Sequence, residues 1–146
     1  MANETFTLEV VTPARLVARE SATEAQIPVL GGTIGVLPGH TPLLAELGAG
    51  QLTFRVANRV HSYAVIGGFV EVLADRVIVL ADRAESAEEI DVARAQAARD
   101  RAQKRLASVH DPAVDSKRAQ DALTRAQVRL EIAASASVAS ATTGRS

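Results

Sequence analysis

The sequence predicts a β + α chain in which an N-terminal antiparallel β-sandwich or flattened barrel of about ten strands precedes a C-terminal antiparallel two-helix hairpin. From Phe6 to Ala81, apolar residues alternate with polar ones or form short β-branched runs, and both patterns are typical of strands. After Arg83 this alternation stops, and strong helix formers such as Ala, Arg, Glu and Gln dominate. We therefore expect a sandwich domain over residues 1–84, a helical hairpin over 85–134 and a disordered tail over 135–146.

The individual strands are predicted from runs that turn residues separate. Gly, Pro or a polar pair such as Asn58-Arg59 or Asp75-Arg76 recurs every 8 to 12 residues or so, as expected of an antiparallel sandwich. The runs are "FTLEVVT", "EAQIPVL", "QLTFRV", "VHSYAVIGG", "GFVEVLAD" and "RVIVLAD".

Capping signals predict where the two helices begin. Ser86 with Glu89 three residues later fits a capping box for the first helix. Asp111 followed by Pro112 fits the N-cap and first helical position of the second helix. The tail "SASVASATTGRS" is small, polar and aperiodic, which favours disorder.

On a helical wheel, each helix carries one apolar stripe, and the hairpin is expected to pack along these two stripes. Because most stripe residues are alanines, packing removes little apolar area from water and stabilises the hairpin only modestly. The stripe residues are Ala95, Ala98, Ala102, Leu106 and Val109 on the first helix, and Ala119, Ala122, Leu123, Ala126 and Leu130 on the second.

Composition excludes several classes of function. A net charge of −1 and an aromatic content of 3% give neither a basic field nor stacking platforms, so nucleic acid is not an expected partner. The chain has no cysteine, which excludes disulfides and thiol catalysis. The start "MANETFTLEV" does not resemble a signal peptide, and no apolar run approaches the roughly 20 residues of a membrane helix. Any membrane association is expected to occur through a partner.

A loop rich in glycine and proline, "GGTIGVLPGHTPLL" at residues 31–44, is predicted to make a protein contact. Its glycine spacing matches neither a phosphate-binding P-loop nor a dinucleotide fingerprint. His40 has no second histidine or acid at ligand spacing, so we expect no metal site, and no catalytic constellation is visible elsewhere. The loop instead concentrates apolar residues that a small domain cannot all bury. These residues are Ile34, Val36, Leu37, Leu43 and Leu44.

The segment "IDVARA" at residues 90–95 opens the arginine-rich half and has two possible interpretations. Arginines flank both apolar stripes, and several guanidinium groups could converge in a hairpin to bind phosphate. Alternatively, the arginine stems cover apolar surface while Asp91 compensates the helix dipole. Spacing alone leaves both interpretations open. The flanking arginines are Arg94 and Arg101 on the first helix, and Arg118, Arg125 and Arg129 on the second.

Three motifs in this order, "GGTIGVLPGHTPLL", "GGFVEVLADRVIVLAD" and "IDVARA", resemble the epsilon subunit of F-type ATP synthase over residues from about 4 to 134. The resemblance implies a non-catalytic central-stalk (rotor) subunit that couples proton flow to ATP synthesis. It implies that the sandwich binds the gamma subunit and the c-ring, while the hairpin either lies compact or extends to the alpha and beta catalytic subunits and prevents ATP hydrolysis. The implied location is peripheral, on the cytoplasmic side of a bacterial inner membrane or on a thylakoid membrane.

The resemblance also implies two sets of site residues. Contacts to the c-ring and gamma are implied for Thr33, Val36, Leu37, His40 and Leu43. Regulatory ATP binding, with no required cofactor, is implied for Glu85, Asp91, Arg94, Arg101, Arg125 and Arg129. Two other hypotheses stay open at this point. The chain could be a free-standing ATP-sensing module, or an enzyme that acts on nucleotides with Glu85 as general base.

Overall fold

A computed structural model describes residues 4–108 and 111–143, with side chains described as far as Ser135. The chain forms two compact units that divide between Ser86 and Ala87. This boundary lies two residues after the predicted one, because the last strand continues through Ser86.

The N-terminal unit contains eight strands in the described residues, fewer than the ten or so predicted. The runs "VHSYAVIGG" and "GFVEVLAD", which were predicted as separate strands, form one long strand, within which Gly67 and Gly68 bend the chain without ending it. The strands are β1 (Phe6–Val11), β2 (Leu16–Ala22), β3 (Glu24–Val29), β4 (Gly32–Val36), β5 (Leu43–Glu46), β6 (Ala49–Val56), β7 (Arg59–Val72) and β8 (Arg76–Ser86).

The strands follow the order β2-β1-β8-β7-β6-β3-β4, and β5 pairs with β7. Every strand pairing among the described residues is antiparallel except that of β1 with β8, which is parallel. The predicted β-sandwich is confirmed, with this one parallel pair as the departure from a purely antiparallel arrangement.

The core of the β unit comes from the inward-facing residues of alternating strands. In β1, Phe6, Leu8 and Val10 are buried, and the residues between them belong to the opposite face. Buried residues recur with the same period of two in three further strands. They are Leu52 and Phe54 in β6, Val70 and Val72 in β7, and Val77 and Val79 in β8. These residues belong to one continuous hydrophobic cluster.

Among the described residues, the charged side chain of Glu9 is buried where β1 lies between β2 and β8. Its Oε1 accepts a hydrogen bond from Arg76 at 3.1 Å and lies 3.4 Å from the guanidinium of Arg19. Both arginines remain about half exposed, so solvent screens their attraction to the carboxylate. The carboxylate therefore links the register of three neighbouring strands without requiring a fully buried cation.

The C-terminal unit is the predicted helical hairpin. A short 3₁₀ turn (Ala87–Glu89) precedes α1 (Val92–Ala107), and α2 spans Ser116–Thr143. The second helix contacts both α1 and the 3₁₀ turn. Four stripe alanines are fully buried, at positions 95, 102, 119 and 126, and the other described stripe residues are half-buried. Val109 lies outside the described residues.

Both predicted N-caps are wrong, and the second helix is longer than predicted. Ser86 ends β8, and Asp91 caps α1. Asp111 accepts a hydrogen bond from the Ala113 N–H within the connection, and α2 begins at Ser116. The helix continues past residue 134 to Thr143, because no glycine or proline occurs within this stretch to stop it. Residues 144–146 of the predicted tail lie outside the described residues.

We predict that Gly68→Ala destabilises the β unit strongly. Gly68 has φ +104°, and a Cβ built there would overlap the carbonyl oxygen of Leu80. The backbone conformation alone should cost about 1–3 kcal/mol, and the overlap adds to it. Urea unfolding should show a lower midpoint than for Gly32→Ala, a control site with open space around its Cα. Equal midpoints for the two variants would contradict the prediction.

Candidate functional site

The aspartate of "IDVARA", Asp91, is the N-cap of helix α1. Asp91 has an extended backbone with φ −81° and ψ 98°, and its Oδ1 accepts a hydrogen bond from the Arg94 N–H at 3.0 Å. Its carbonyl oxygen accepts the Ala95 N–H at 3.0 Å, which is the first intrahelical bond. Asp91 therefore satisfies one of the donors that a helix start leaves without an intrahelical partner.

The four predicted phosphate-binding arginines all lie on the helical hairpin. Arg94 and Arg101 are exposed on α1, whereas Arg125 and Arg129 are half-buried on α2. Arg94 and Arg101 are seven residues apart and so share one face of α1. Because α1 and α2 pack together, the hairpin carries arginines from both helices, and whether they act on one ligand stays a prediction.

The sixth predicted residue of this set, Glu85, belongs to the β unit. It lies near the end of β8, paired across the sheet with Ala64, and is half-buried. The other five residues belong to the helical unit. The prediction that Glu85 takes part in nucleotide binding stays a prediction.

The loop at residues 31–44 divides into supporting and exposed residues. Val36 is only 2% exposed, pairs with Ala25 of β3 and belongs to the core cluster. Its predicted role as a direct partner contact therefore has to be corrected to an internal support, because the end of strand β4 carries its side chain inward. Thr33 and Leu37 are exposed, and Leu37 has 61% of its surface accessible.

His40 and Leu43 occupy the second half of this loop. The half-buried His40 donates a hydrogen bond from Nδ1 to the carbonyl oxygen of Thr41 at 2.6 Å, so the ring stiffens the turn. Leu43 is 37% exposed and opens β5, where it pairs with Val72. Gly39 donates its N–H to the carbonyl of Ala74, which ties the loop to the turn between β7 and β8.

Several exposed apolar residues lie outside the contact surface predicted from the sequence. Leu30 is 63% exposed in the turn after β3, and Leu73 is 37% exposed after β7. Phe69 and Leu80, cross-strand partners on β7 and β8, are each about half exposed. A signal was present in "GFVEVLAD" and "RVIVLAD", since strands with apolar residues on both faces must either bury both faces or present one to a partner.

Over the described residues, no group of three or more His, Asp or Glu side chains is arranged to hold a metal ion. No helix in the described part of the chain is both long enough and apolar enough to cross a membrane.

Comparison with known families assigns both units. Residues 5–87 match the family model for "ATP synthase, Delta/Epsilon chain, beta-sandwich domain", and residues 88–134 match "ATP synthase, Delta/Epsilon chain, long alpha-helix domain". The chain therefore belongs to the ATP synthase delta/epsilon chain family, whose members are non-catalytic subunits of that complex.

Within this family its relatives are epsilon chains, which confirms the resemblance found from the motifs. The ATP synthase epsilon chain of Solibacter usitatus is 54% identical over 101 residues, covering 69% of this chain and 75% of the relative. That of Syntrophobacter fumaroxidans is 45% identical over 130 residues, covering 89% and 96%. A chain in the cryo-EM structure of Euglena gracilis mitochondrial ATP synthase (OSCP/F1/c-ring) superposes with a TM-score of 0.78 at 25% identity, covering 90% of this chain and 82% of that one.

The contrast between Val36 and Leu37 predicts that truncating these neighbouring residues has very different effects on stability. Val36→Ala should destabilise the β unit by about 1–3 kcal/mol, because it removes buried methyl groups from the core. Leu37→Ala should change stability by less than about 0.5 kcal/mol, because its side chain is mostly in water. Urea unfolding of the two variants checks this, and equal destabilisation would contradict the division of the loop.

Proposed function

We propose that this chain is a central-stalk subunit of the rotor, peripheral on the cytoplasmic side of a bacterial membrane, that couples proton flow to ATP synthesis. The match to epsilon chains over both units supports this role most directly. The likeness to a chain solved together with F1 and the c-ring is consistent with it.

The β unit is proposed to make the contacts to the gamma subunit and the c-ring. The exposed residues Thr33, Leu37 and Leu43 offer the contact surface, while Val36 and His40 hold the loop in shape from within. Exposed leucines on a loop that hydrogen bonds fasten to neighbouring strands provide a pre-ordered apolar surface, which binds a partner with little loss of conformational entropy.

The helical hairpin is proposed to bind ATP in its compact form and thereby regulate ATP hydrolysis. Arg94, Arg101, Arg125 and Arg129 would supply the guanidinium groups for the triphosphate. The half-burial of the two α2 arginines favours this role, because side chains already partly ordered lose less entropy on binding a ligand. An extended hairpin is proposed to reach the alpha and beta subunits and prevent hydrolysis.

Thermodynamic linkage gives the free energy by which bound ATP would stabilise the compact hairpin. A ligand that binds only the compact hairpin stabilises it by about 2.7 kcal/mol at a hundredfold excess over its Kd. The interface between α1 and α2 is built mainly on alanines, so the compact hairpin is held by little apolar area. A ligand contribution of this size can therefore shift the population between the compact and extended states.

Calorimetric titration with ATP tests the nucleotide site. The unsubstituted chain should bind ATP, and Arg94→Ala and Arg125→Ala should each weaken binding about tenfold or more, because each removes a charge-assisted contact to phosphate. Arg118→Ala is a matched control, since Arg118 is an exposed arginine in the first turn of α2, as Arg94 is in α1. No binding at millimolar ATP, or equal losses in all three variants, would refute the ATP site. Titration of Glu85→Gln separately tests the role of Glu85.

Co-purification with the ATP synthase tests the rotor role. The tagged chain should bring down the synthase from detergent-solubilised membranes of its host, and Leu37→Asp should weaken this association because it places a charge in an apolar contact. Leu16→Asp serves as control, because Leu16 is 47% exposed on β2, which pairs with β1, whereas the strands of the loop, β4 and β5, pair with β3 and β7. A chain that never brings down the synthase would instead be a free-standing ATP sensor. Equal loss with both variants would contradict the proposed contact surface.

A further inference from the structure

The segment that opens α1 recurs at the start of α2. Residues 90–106 read "IDVARAQAARDRAQKRL", and residues 114–130 read "VDSKRAQDALTRAQVRL". An apolar residue, Asp, Arg-Ala-Gln, Ala, Arg-Ala-Gln and Arg-Leu occur in both stretches at the same spacing. The two helices of the hairpin are therefore built on one repeated pattern.

The hydrogen bonds at the two helix starts are the same. The Arg118 N–H donates to Asp115 Oδ1 at 3.1 Å, as the Arg94 N–H donates to Asp91 Oδ1 at 3.0 Å. The carbonyl of Asp115 accepts the Ala119 N–H at 3.0 Å, which matches the bond from Ala95 to the carbonyl of Asp91. Asp115 is thus the N-cap of α2 that the sequence analysis assigned to Asp111.

The burial of the residues around each cap also agrees between the two copies. Ala95 and Ala119, four residues after each cap, are 3% and 2% exposed. Ile90 is buried and Val114 half-buried immediately before each cap. An apolar residue before the N-cap combined with one four residues after it is the hydrophobic-staple pattern, which fixes how the chain enters a helix. The first arginine of each copy, Arg94 in α1 and Arg118 in α2, is exposed.

We infer that "IDVARA" is one of two matched helix-start motifs, and that Asp91 acts on nucleotide binding as a positioning residue for Arg94 and not as a ligand. The inference rests on the proposed ATP site. One carboxylate oxygen of Asp91 already accepts the Arg94 backbone N–H at 3.0 Å, so the side chain is oriented toward the start of its own helix. The cap fixes where α1 begins, and hence the direction in which Arg94 and, two turns later, Arg101 project.

Substitutions at the two caps separate positioning from direct contact. Serine also caps helices but has no charge, so Asp91→Ser should keep ATP affinity within about twofold, whereas Asp91→Ala should weaken it about fivefold. Asp115→Ala is the matched control: it removes the equivalent cap beside Arg118, which is outside the proposed ligand set. It should leave ATP affinity within about twofold.

Amide hydrogen exchange measured by NMR on the same full-length variants reports the caps themselves. Exchange at the Arg94 N–H should accelerate in Asp91→Ala and be restored in Asp91→Ser, and Asp115→Ala should accelerate exchange at the Arg118 N–H. Loss of ATP affinity in Asp91→Ser equal to that in Asp91→Ala would show that Asp91 is a ligand. Weakening of ATP binding by Asp115→Ala as large as that by Asp91→Ala would show a general effect on hairpin stability. Either result overturns the inference.

If the unsubstituted chain binds no ATP, the proposed nucleotide site fails. The exchange rates at Arg94 and Arg118 then still decide whether the repeated segment starts both helices. An unchanged rate at Arg94 in Asp91→Ala would overturn the helix-start motif whether or not ATP binds.

Discussion

The bend at Gly67 and Gly68 is the constraint on which the β unit depends. Their φ values are +66° and +104°, which glycine adopts at little cost, and the two residues divide β7 into a part that pairs with β6 and a part that pairs with β5. Opposite this bend, the chain between β5 and β6 is interrupted at Leu47 and Gly48, and the Leu47 N–H donates to the Gly68 carbonyl. One strand can thereby pair with β5, β6 and β8, and the loop before β5 lies against the turn that follows β7.

The helical unit is stabilised differently from the β unit. Its buried contacts are mostly alanines, which allow helices to approach closely but remove little area from water. Much of the local order therefore comes from the helix starts, where Asp91 and Asp115 hold backbone donors that would otherwise lack intrahelical partners. Small contacts and local caps suit the proposed regulatory role, in which the hairpin would exchange packing partners while its helices stay formed.

The candidate sites were predictable to different degrees. The arginines on both helices followed from helical periodicity, because the wheel position of a residue is set by its number once the helix is known. The role of Asp91 did not follow from a single motif, since Asp can compensate a dipole, bind a ligand or cap a backbone amide. The sequence contains the repeat of "DVARAQ" as "DSKRAQ", but only the hydrogen bonds show that each copy caps a helix.

The sequence by itself determined the division into a strand-rich and a helix-rich unit, the alanine stripes and the family, because these depend on local periodicity and on the order of motifs. Only the tertiary structure decided that Val36 points inward while Leu37 points outward, that β1 pairs with β8 in parallel, and that Glu9 meets two arginines from other strands. These features depend on which strands become neighbours. Strand pairing joins residues far apart in the chain. The alternation of apolar and polar residues shows which face of a strand is buried, but it does not identify the partner strand.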